Sequence, residues 1–451
     1  MKKQGAKNGG YTSKLIGFCS GQISQSLEAI VIAQLTYYLT ESVYMSAAIV
    51  GVLLVSARIF DGFTDAVAGF LVDRTHTRWG RARPYALLFI PMWVAMVLIY
   101  SVPNVNVKIQ IVYVFIMYVI IEAIARTFIL CANTVLLKRA VNEDAQVNFL
   151  TISCLFAYIF SLVASVAMPT LISIFGQTKN GWTIIALFFA IPCTILGLLQ
   201  FFLVKEIPVS EGKEKNEEQV PFMIGLKALL KNKFVFIFGI ASFAYNVSYA
   251  ISNSSGTYYF TYVIGDVAKL TTVSLFAFAA LILMAFLPKM QEKFGSAKLI
   301  SAGLILMVVS NLAKYMFPQN LLMLGILSAL SMAGTLPLLT FNNVISIECM
   351  KYSFWQTGIP IEGIIASVNG VATKIGSGLG AALVGILMSM SGYDGAVAIQ
   401  TESAVGMIKF LYAGLPAICA LIGWIAMHFY TLERKLPQIE TELKKGKKEN
   451  E

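Results

Sequence analysis

Long apolar stretches separated by short polar breaks run along most of the chain. These stretches reach about 20 residues, the length that an α-helix needs to cross the hydrocarbon core of a bilayer. The pattern predicts an all-α membrane protein with twelve transmembrane helices. The predicted spans are 14–40, 46–72, 84–102, 109–136, 149–175, 182–204, 234–264, 270–287, 297–317, 321–348, 361–391 and 404–431.

One long hydrophilic interval, residues 205–233, divides the predicted spans six and six. Its middle is charged and predicts a linker, whereas residues 222–230 have apolar side chains at helical spacing, which predicts a helix on the inner membrane surface. Two six-helix bundles are typical of transporters that rock one bundle against the other around a central site. The predicted domains are an N-terminal six-helix bundle at 1–204, the cytoplasmic linker with its surface helix at 205–233, a C-terminal six-helix bundle at 234–432 and a charged cytoplasmic tail at 433–451.

The composition agrees with a membrane location. Hydrophobic residues make up 57% of the 451 residues and charged residues 13%, against about 25% charged in a typical soluble domain. The net charge of +10 comes from basic residues in alternate breaks between spans, which marks those breaks and both termini as cytoplasmic. This placement argues against nucleic-acid binding and predicts a multi-pass protein of the cell membrane, typically a bacterial inner membrane.

The six cysteines and two histidines are scattered along the chain. Because the cysteines lie singly in apolar surroundings, neither disulfides nor a metal centre of Cys and His ligands is predicted. No GxxxxGK(S/T) stretch for nucleotide phosphates occurs in the sequence, so no cofactor is expected and an ion gradient is the expected energy source.

A charged cluster lies inside the second predicted span. Arg58, Asp61 and Asp65 are spaced i, i+3 and i+7, so a helix projects all three from one face. Charge inside a membrane is costly and marks functional sites. With Thr64, the two carboxylates form an oxygen-rich site that predicts binding of Na⁺, Li⁺ or H⁺. The alternative is that the carboxylates pair with Arg58 and only hold helices together.

Lys374 lies about 13 positions into the eleventh span, beside glycines that allow a neighbouring helix to approach closely. A lysine at this depth needs a counter-charge, and the Asp61 and Asp65 site is the natural candidate. Lys374 and Arg58 are therefore predicted to balance the charge of the empty cation site. The alternative is a lysine whose amine reaches the membrane surface.

Further polar residues inside spans leave more than one interpretation open. Glu122 and Arg126 are spaced i, i+4 and are expected to neutralise each other, although Arg126 could instead face a substrate cavity. The role of Glu28 is ambiguous, and it is counted among the candidates for a substrate cavity. Lys314 is close enough to a span end for its amine to reach the membrane surface. Polar residues of spans seven and ten are either substrate contacts or contacts between helices. The cavity candidates among them are Tyr245, Asn246, Asn253 and Asn342.

The loop after the second span, GFLVDRTHTRWGRAR, has the form GxxxD(R/K)xxxR that major facilitator transporters carry between spans two and three. Its aspartate can accept hydrogen bonds at a helix end, and its arginines can make charge-assisted contacts that hold the inward side closed. The predicted gating residues are Gly69, Asp73, Arg74, Arg78, Gly80, Arg81 and Arg83.

Three stretches resemble the glycoside-pentoside-hexuronide:cation symporter family: ARIFDGFTDAVAGFLVDRTHTRWGRARPY, AYNVSYAISNSSGTYYFTYVIGD and WQTGIPIEGIIASVNGVATKIGSGLGAALVGILMSMSGY. Weaker similarity runs through nearly all of the chain. The resemblance implies a major facilitator fold. It also implies that Asp61 and Asp65 stand at the family's cation-site carboxylates and Lys374 at its span-eleven lysine.

The chain departs from the sugar-binding members of that family at four places. Those members have an acidic residue in span one, an acidic residue and a tryptophan in span four, and an arginine in span five. Gln25, Thr127, Cys131 and Ile152 stand there in this chain. Because a site lacking its polar partners rejects the wrong ligand strongly, a melibiose-like substrate is not expected.

Together these features predict a secondary active transporter that couples entry of Na⁺ or H⁺ to uptake of a small organic solute, such as a sugar or glycoside. It is expected to act as a monomer in the lipid bilayer. One alternative is a symporter for lysolipids or other amphipathic solutes within the same family, and another is a membrane sensor that does not transport. A membrane enzyme is least expected, because no nucleophile and base occur together.

Overall fold

The structure is a computed structural model that describes residues 2–75, 77–141, 143–206, 229, 231–358, 362–397, 399–439 and 441–442. Over these residues the regular structure is helical, and an isolated bridge joins Thr77 to Gly80. The fold class is all-α, as the apolar pattern predicts. The predicted surface helix at 222–230 lies outside the described residues apart from position 229.

The first half of the chain forms helices that follow one another through short turns. They are α1 (Lys2–Ile32), α2 (Leu35–Glu41), α3 (Ala47–Arg74), a 3₁₀ turn (Arg83–Leu88), α4 (Phe89–Ile99), α5 (Val107–Tyr118), a π-helical turn (Val119–Arg126), α6 (Thr127–Ala140), α7 (Glu143–Phe175) and α8 (Lys179–Leu203).

The second half has the same all-helical character. Its helices are α9 (Lys233–Tyr262), α10 (Lys269–Leu275), α11 (Phe278–Phe294), α12 (Ser296–Met316), α13 (Leu321–Thr357), α14 (Glu362–Met390), α15 (Glu402–Lys409), a second π-helical turn (Phe410–Gly414), α16 (Leu415–His428) and a 3₁₀ turn (Leu432–Arg434).

Helix occupies each of the twelve intervals predicted as spans. Within the described residues, nine helical segments are long and apolar enough to cross a membrane, and three shorter apolar helices are Ala47–Arg58, Arg83–Ile99 and Lys269–Ala280. The main difference from the predicted boundaries is at the start, where α1 begins at Lys2 and continues through the polar N-terminal residues into the first span.

The chain divides into two compact units. The first consists of Met1–Lys213 with two short later segments, Gly265–Thr271 and Gly385–Thr401, and the second contains the rest. In the first unit α1 packs along α7 and α8, while α3 packs on the π-helical turn and α6. In the second unit the main packing pairs are α12 with α13 and α9 with α16.

Small residues bring α12 and α13 together. A Cβ atom added to Gly303 would collide with the carbonyl oxygen of Gly334, and one added to Gly334 would collide with the carbonyl oxygen of Gly303. Glycine at both positions therefore lets the two backbones touch, which is the packing that membrane helices use where lipid provides no hydrophobic drive.

Candidate ion-binding and transport site

The π-helical turn Val119–Arg126 brings the charged residues of the first unit together. It interrupts the α-helix between α5 and α6, and such wide turns recur at functional sites. Glu122 and Arg126 both lie in this turn, which packs on α3, the helix that carries Arg58 and Asp61. The charges of the second and fourth predicted spans thus meet within one unit.

Five side chains form a row in which acids and bases alternate, and we call this row the charge chain: Glu28, Arg126, Glu122, Arg58 and Asp61. Arg126 Nη1 lies 3.5 Å from Glu28 Oε2 and donates to Glu122 Oε1 and Oε2 at 3.0 and 3.1 Å. Arg58 Nη1 donates to Glu122 Oε2 at 3.2 Å and lies 3.7 Å from Asp61 Oδ2. The predicted pairing of Glu122 with Arg126 is present in the structure.

The three acids of the charge chain are buried. Glu28 is 0% exposed, and Asp61 and Glu122 are each 2% exposed. With both guanidiniums charged and all three carboxylates ionised, these five side chains together carry a net charge of minus one. A buried cluster with more acids than bases is suited to take up a cation.

The two ends of the charge chain differ. At one end Asp61 Oδ1 accepts a hydrogen bond of 2.9 Å from the hydroxyl of Thr127. At the other end both carboxylate oxygens of Glu28 are buried without a hydrogen-bond donor, and Gln25 Nε2, on the preceding turn of α1, is buried without an acceptor. Because buried polar atoms normally find partners, the Gln25 and Glu28 end is suited to receive a ligand.

The remaining residues predicted for the cation site are placed as follows. The hydroxyl of Thr64 donates to the backbone oxygen of Asp61 at 2.9 Å, which leaves its own lone pairs for a ligand. The side chain of Asp65 lies outside the described part of the structure. Lys374 is half-buried in α14 of the second unit, whereas Asp61 is in the first, and their pairing stays a prediction.

The four positions at which the chain departs from sugar-binding relatives do not lie in one kind of environment. Thr127 is 1% exposed and bonded to Asp61, so it belongs to the charge chain's surroundings. Cys131 is half-buried and packs against an apolar cluster that includes Phe18 and Leu136. Ile152 on α7 is half-buried as well. Only Gln25 of the four presents an unsatisfied buried polar atom.

The polar residues of the second unit mostly bond to their own helix. Asn246 Nδ2 donates to the backbone oxygen of Ser242 at 2.7 Å, and Asn253 Nδ2 donates to that of Tyr249 at 2.9 Å. Tyr245 is buried beside the ring of Tyr249. Asn342 differs, because its Oδ1 atom is buried without a hydrogen-bond donor.

Lys314 does not reach the membrane surface, contrary to one interpretation of its position near a span end. It is 7% exposed. Its Nζ atom donates to Asn311 Oδ1 at 3.1 Å and lies 5.5 Å from the ring centre of Tyr412. Tyr412 belongs to the second π-helical turn, and its ring provides a cation–π partner within the unit.

The predicted gating loop is held by Glu206, a residue that was not predicted from the sequence to belong to the site. The carboxylate of Glu206, just beyond α8, accepts hydrogen bonds from the backbone N–H groups of Arg81, Ala82 and Arg83 at 3.0, 2.8 and 2.9 Å. Gly80 precedes them with φ of 115°, and a Cβ atom there would collide with this carboxylate. The surroundings of Gly69 and of the Asp73 side chain are not among the described parts of the structure.

Two arginine side chains of the loop, those of Arg78 and Arg83, contact aromatic rings. Arg83 Nε donates to the backbone oxygen of Phe201 at 2.6 Å, and its guanidinium lies 4.8 Å from the Phe201 ring centre. The guanidinium of Arg78 lies 4.7 Å from the ring centre of Trp79. The loop is thus fastened to the end of α8 in its own unit.

The second unit repeats this arrangement with different residues. Glu433 lies just beyond α16, and its Oε1 atom accepts from the backbone N–H groups of Ser296 and Ala297 at 2.5 and 3.5 Å. Gly295 precedes them with φ of 85°, close to the same carboxylate. We call Glu206 and Glu433 the glutamate clamps. The sequence signal is slight: a glutamate shortly after the last span of each half.

Comparison with known proteins gives concordant results. The family profile described as MFS/sugar transport protein matches residues 18–434. The isoprimeverose transporter of Lactiplantibacillus pentosus is 26% identical, over 92% of this chain and 87% of that protein. The glucuronide carrier protein homolog of Escherichia coli (strain K12) is 24% identical, over 96% of each chain.

Solved structures agree with these relatives on the fold. The crystal structure of a bacterial homologue of the human lysosomal transporter Spinster superimposes with a TM-score of 0.69. It covers 95% of this chain and 98% of its own, at 14% sequence identity. At that identity the likeness shows the fold alone, which is that of the major facilitator transporters.

Proposed function

Because the chain belongs to the MFS/sugar transport protein family, we propose that it carries a sugar or glycoside into the cell together with a cation. Membership of this family makes the chain a membrane transporter and not an enzyme. The observation that carries the finer proposal is the charge chain, in which three buried carboxylates face two guanidiniums. One added cation balances that excess charge.

The cation is assigned to the Asp61 end. Asp61 Oδ1 accepts a hydrogen bond from Thr127, and Thr64 on the next turn of α3 adds a hydroxyl oxygen. Oxygen ligands of this kind suit Na⁺ or Li⁺, and a carboxylate also accepts H⁺. Asp65, from the same helix face, completes the set in this proposal.

The solute is assigned to the Gln25 end. The amide nitrogen of Gln25 can donate to a hydroxyl oxygen, and Arg126, whose side chain is 36% exposed, has N–H groups that can do the same. These are groups that recognise the hydroxyls of a sugar or the carboxylate of a hexuronide. One relative is named as an isoprimeverose transporter and another as a glucuronide carrier protein homolog, and both of these solutes belong to this class.

Uptake into proteoliposomes under imposed Na⁺, Li⁺ and pH gradients tests the proposal, with isoprimeverose, a glucuronide and melibiose as labelled solutes. We expect one of the first two to accumulate under one of the gradients and melibiose not to. Asp61→Asn should lower gradient-driven uptake at least about tenfold, because the variant loses the carboxylate that the cation needs.

The matched control is Glu292→Gln, which makes the same charge change at an exposed acid of α11. Its uptake should equal that of the unaltered protein. Undiminished ion stimulation in Asp61→Asn contradicts the cation assignment, and specific solute binding without uptake by any gradient indicates a sensor instead of a carrier.

A further inference from the structure

The Glu28 end of the charge chain has no role in the cation site described above. Its carboxylate is fully buried, both of its oxygens lack a hydrogen-bond donor among the described residues, and Arg126 Nη1 lies 3.5 Å from it. That same nitrogen donates two hydrogen bonds to Glu122. Glu28 is therefore the least compensated of the three acids. We propose that Glu28 is a second ion-binding group, which holds a proton when Arg126 turns to the solute.

The surroundings of Glu28 leave a proton as the fitting ligand. Arg126 and Glu122 face it from the π-helical turn and Arg58 from α3, and its charge also affects the phenols of Tyr100 and Tyr118 at the ends of α4 and α5. Over the middle turns of α7 and α8, which pack on α1, the titratable residues are Cys154, Tyr158 and Cys193. A metal ion would need several oxygen ligands at this end. The group that lies against the Glu28 carboxylate is instead the positively charged guanidinium of Arg126, which repels a metal ion.

Protonation changes what Arg126 can do. A proton from water forms an O–H bond at one Glu28 oxygen, and the row loses one negative charge. The neutral acid attracts the guanidinium less, so the N–H groups facing Glu28 become available for a hydroxyl or carboxylate of the solute. When the solute leaves and the proton dissociates to water, the carboxylate attracts Arg126 again.

Proton and solute therefore favour each other at this end. By linkage, whatever factor the proton adds to solute affinity, the solute adds to proton affinity. This step rests on the proposed function, since it needs a solute that Arg126 contacts. The proton site itself rests on burial and geometry alone, and the two can be tested apart.

Infrared difference spectroscopy of the purified protein in a membrane tests the proton site without any solute. Protonation of a carboxylate produces a C=O stretch that shifts in D₂O, and we expect one such buried band to disappear as the pH is raised. Glu28→Gln should lose this band and Glu28→Asp should keep it at a shifted position, while Glu292→Gln should leave it unchanged. Intact folding of each variant is checked by size exclusion and thermal unfolding.

If Glu28→Gln and the unaltered protein show the same buried carboxyl bands, the assignment is overturned. The absence of any such band in the unaltered protein across the pH range of stability overturns it as well. Once a solute is known, its affinity should rise about tenfold or more from alkaline to mildly acid pH and be flat with pH in Glu28→Gln. A pH-independent affinity in the unaltered protein contradicts the coupling to Arg126.

Failure of the proposed function gives a different result. If no gradient drives uptake of any solute, the proposed symport is wrong, yet the Glu28 band can still be present. If uptake depends on Na⁺ alone and the band is absent, the symport stands and the proton site is wrong.

Discussion

At the scale of single residues, the charge chain joins side chains of three predicted spans, since Glu28 comes from the first span, Asp61 from the second and Glu122 from the fourth. Arg58 and Asp61 follow from helical spacing, and Glu122 and Arg126 from their i, i+4 separation. That Glu28 ends the same row could not be predicted, because its helix is distant in sequence and packing decides which face it presents. The same holds for Thr127. In the sequence it stands where sugar-binding relatives have an acidic residue, and in the structure its hydroxyl donates a hydrogen bond to Asp61.

Lys314 provides a residue-scale prediction. Its ammonium is buried against Asn311 and the Tyr412 ring, and a buried charge held without an acid costs desolvation energy that cation–π contact repays only in part. We expect Lys314→Met, which keeps the length of the side chain, to leave the free energy of unfolding within about 1 kcal/mol or to raise it.

Apparent unfolding temperature in detergent measures this effect. Lys314→Glu should lower the temperature clearly, because a carboxylate would face the negative surface of the Tyr412 ring. If Lys314→Met instead loses several degrees while expression and oligomeric state are normal, the ammonium has a stabilising partner that cation–π contact does not account for.

At the scale of elements, the apolar pattern predicted where helices lie, and helix occurs in each of the twelve predicted intervals. The interruptions were not predictable. The π-helical turns Val119–Arg126 and Phe410–Gly414 have ordinary helix-forming compositions, and their wider winding comes from tertiary packing. The glutamate clamps were missed because each joins backbone groups to a carboxylate more than 120 positions away.

The clamps lead to the element-scale prediction. In Glu206→Gln an amide nitrogen replaces one carboxylate oxygen. Because this nitrogen is itself a donor, a backbone N–H that bonded to the lost oxygen is left without an acceptor. We expect a loss of about 1–3 kcal/mol in stability and faster tryptic cleavage after Arg81 in the folded protein. Glu433→Gln should act similarly at the start of α12.

Limited proteolysis followed by mass spectrometry locates the cleavage, and thermal unfolding measures the loss. Glu292→Gln again provides the control, because it changes an exposed acid that holds no backbone loop. Equal cleavage rates in Glu206→Gln and the control would mean that the contacts of Arg83 with Phe201 are enough to fasten the loop.

At the scale of the whole molecule, length and hydropathy were enough for the fold, because a bilayer leaves a chain few alternatives to spanning helices. An ion gradient as the energy source stays a prediction, which rests on charges that few other functions would place inside a membrane. The solute is harder to predict, since it depends on a few polar atoms such as those of Gln25, Glu28 and Asn342. Whether these atoms have hydrogen-bond partners depends on tertiary packing, which the sequence does not show.

Linkage between solute and cation provides the last prediction. If both bind one state of the transporter, each must raise the affinity of the other by the same factor. A solute at 100 times its Kd stabilises that state by about 2.7 kcal/mol, so its thermal shift should grow when the coupling cation is present. Thermal shifts measured over a grid of solute and Na⁺, Li⁺ or H⁺ concentrations give the coupling factor from both directions. In Asp61→Asn the solute should still stabilise the protein but the metal cations should add nothing, whereas independent shifts in the unaltered protein would mean that the two ligands are not coupled.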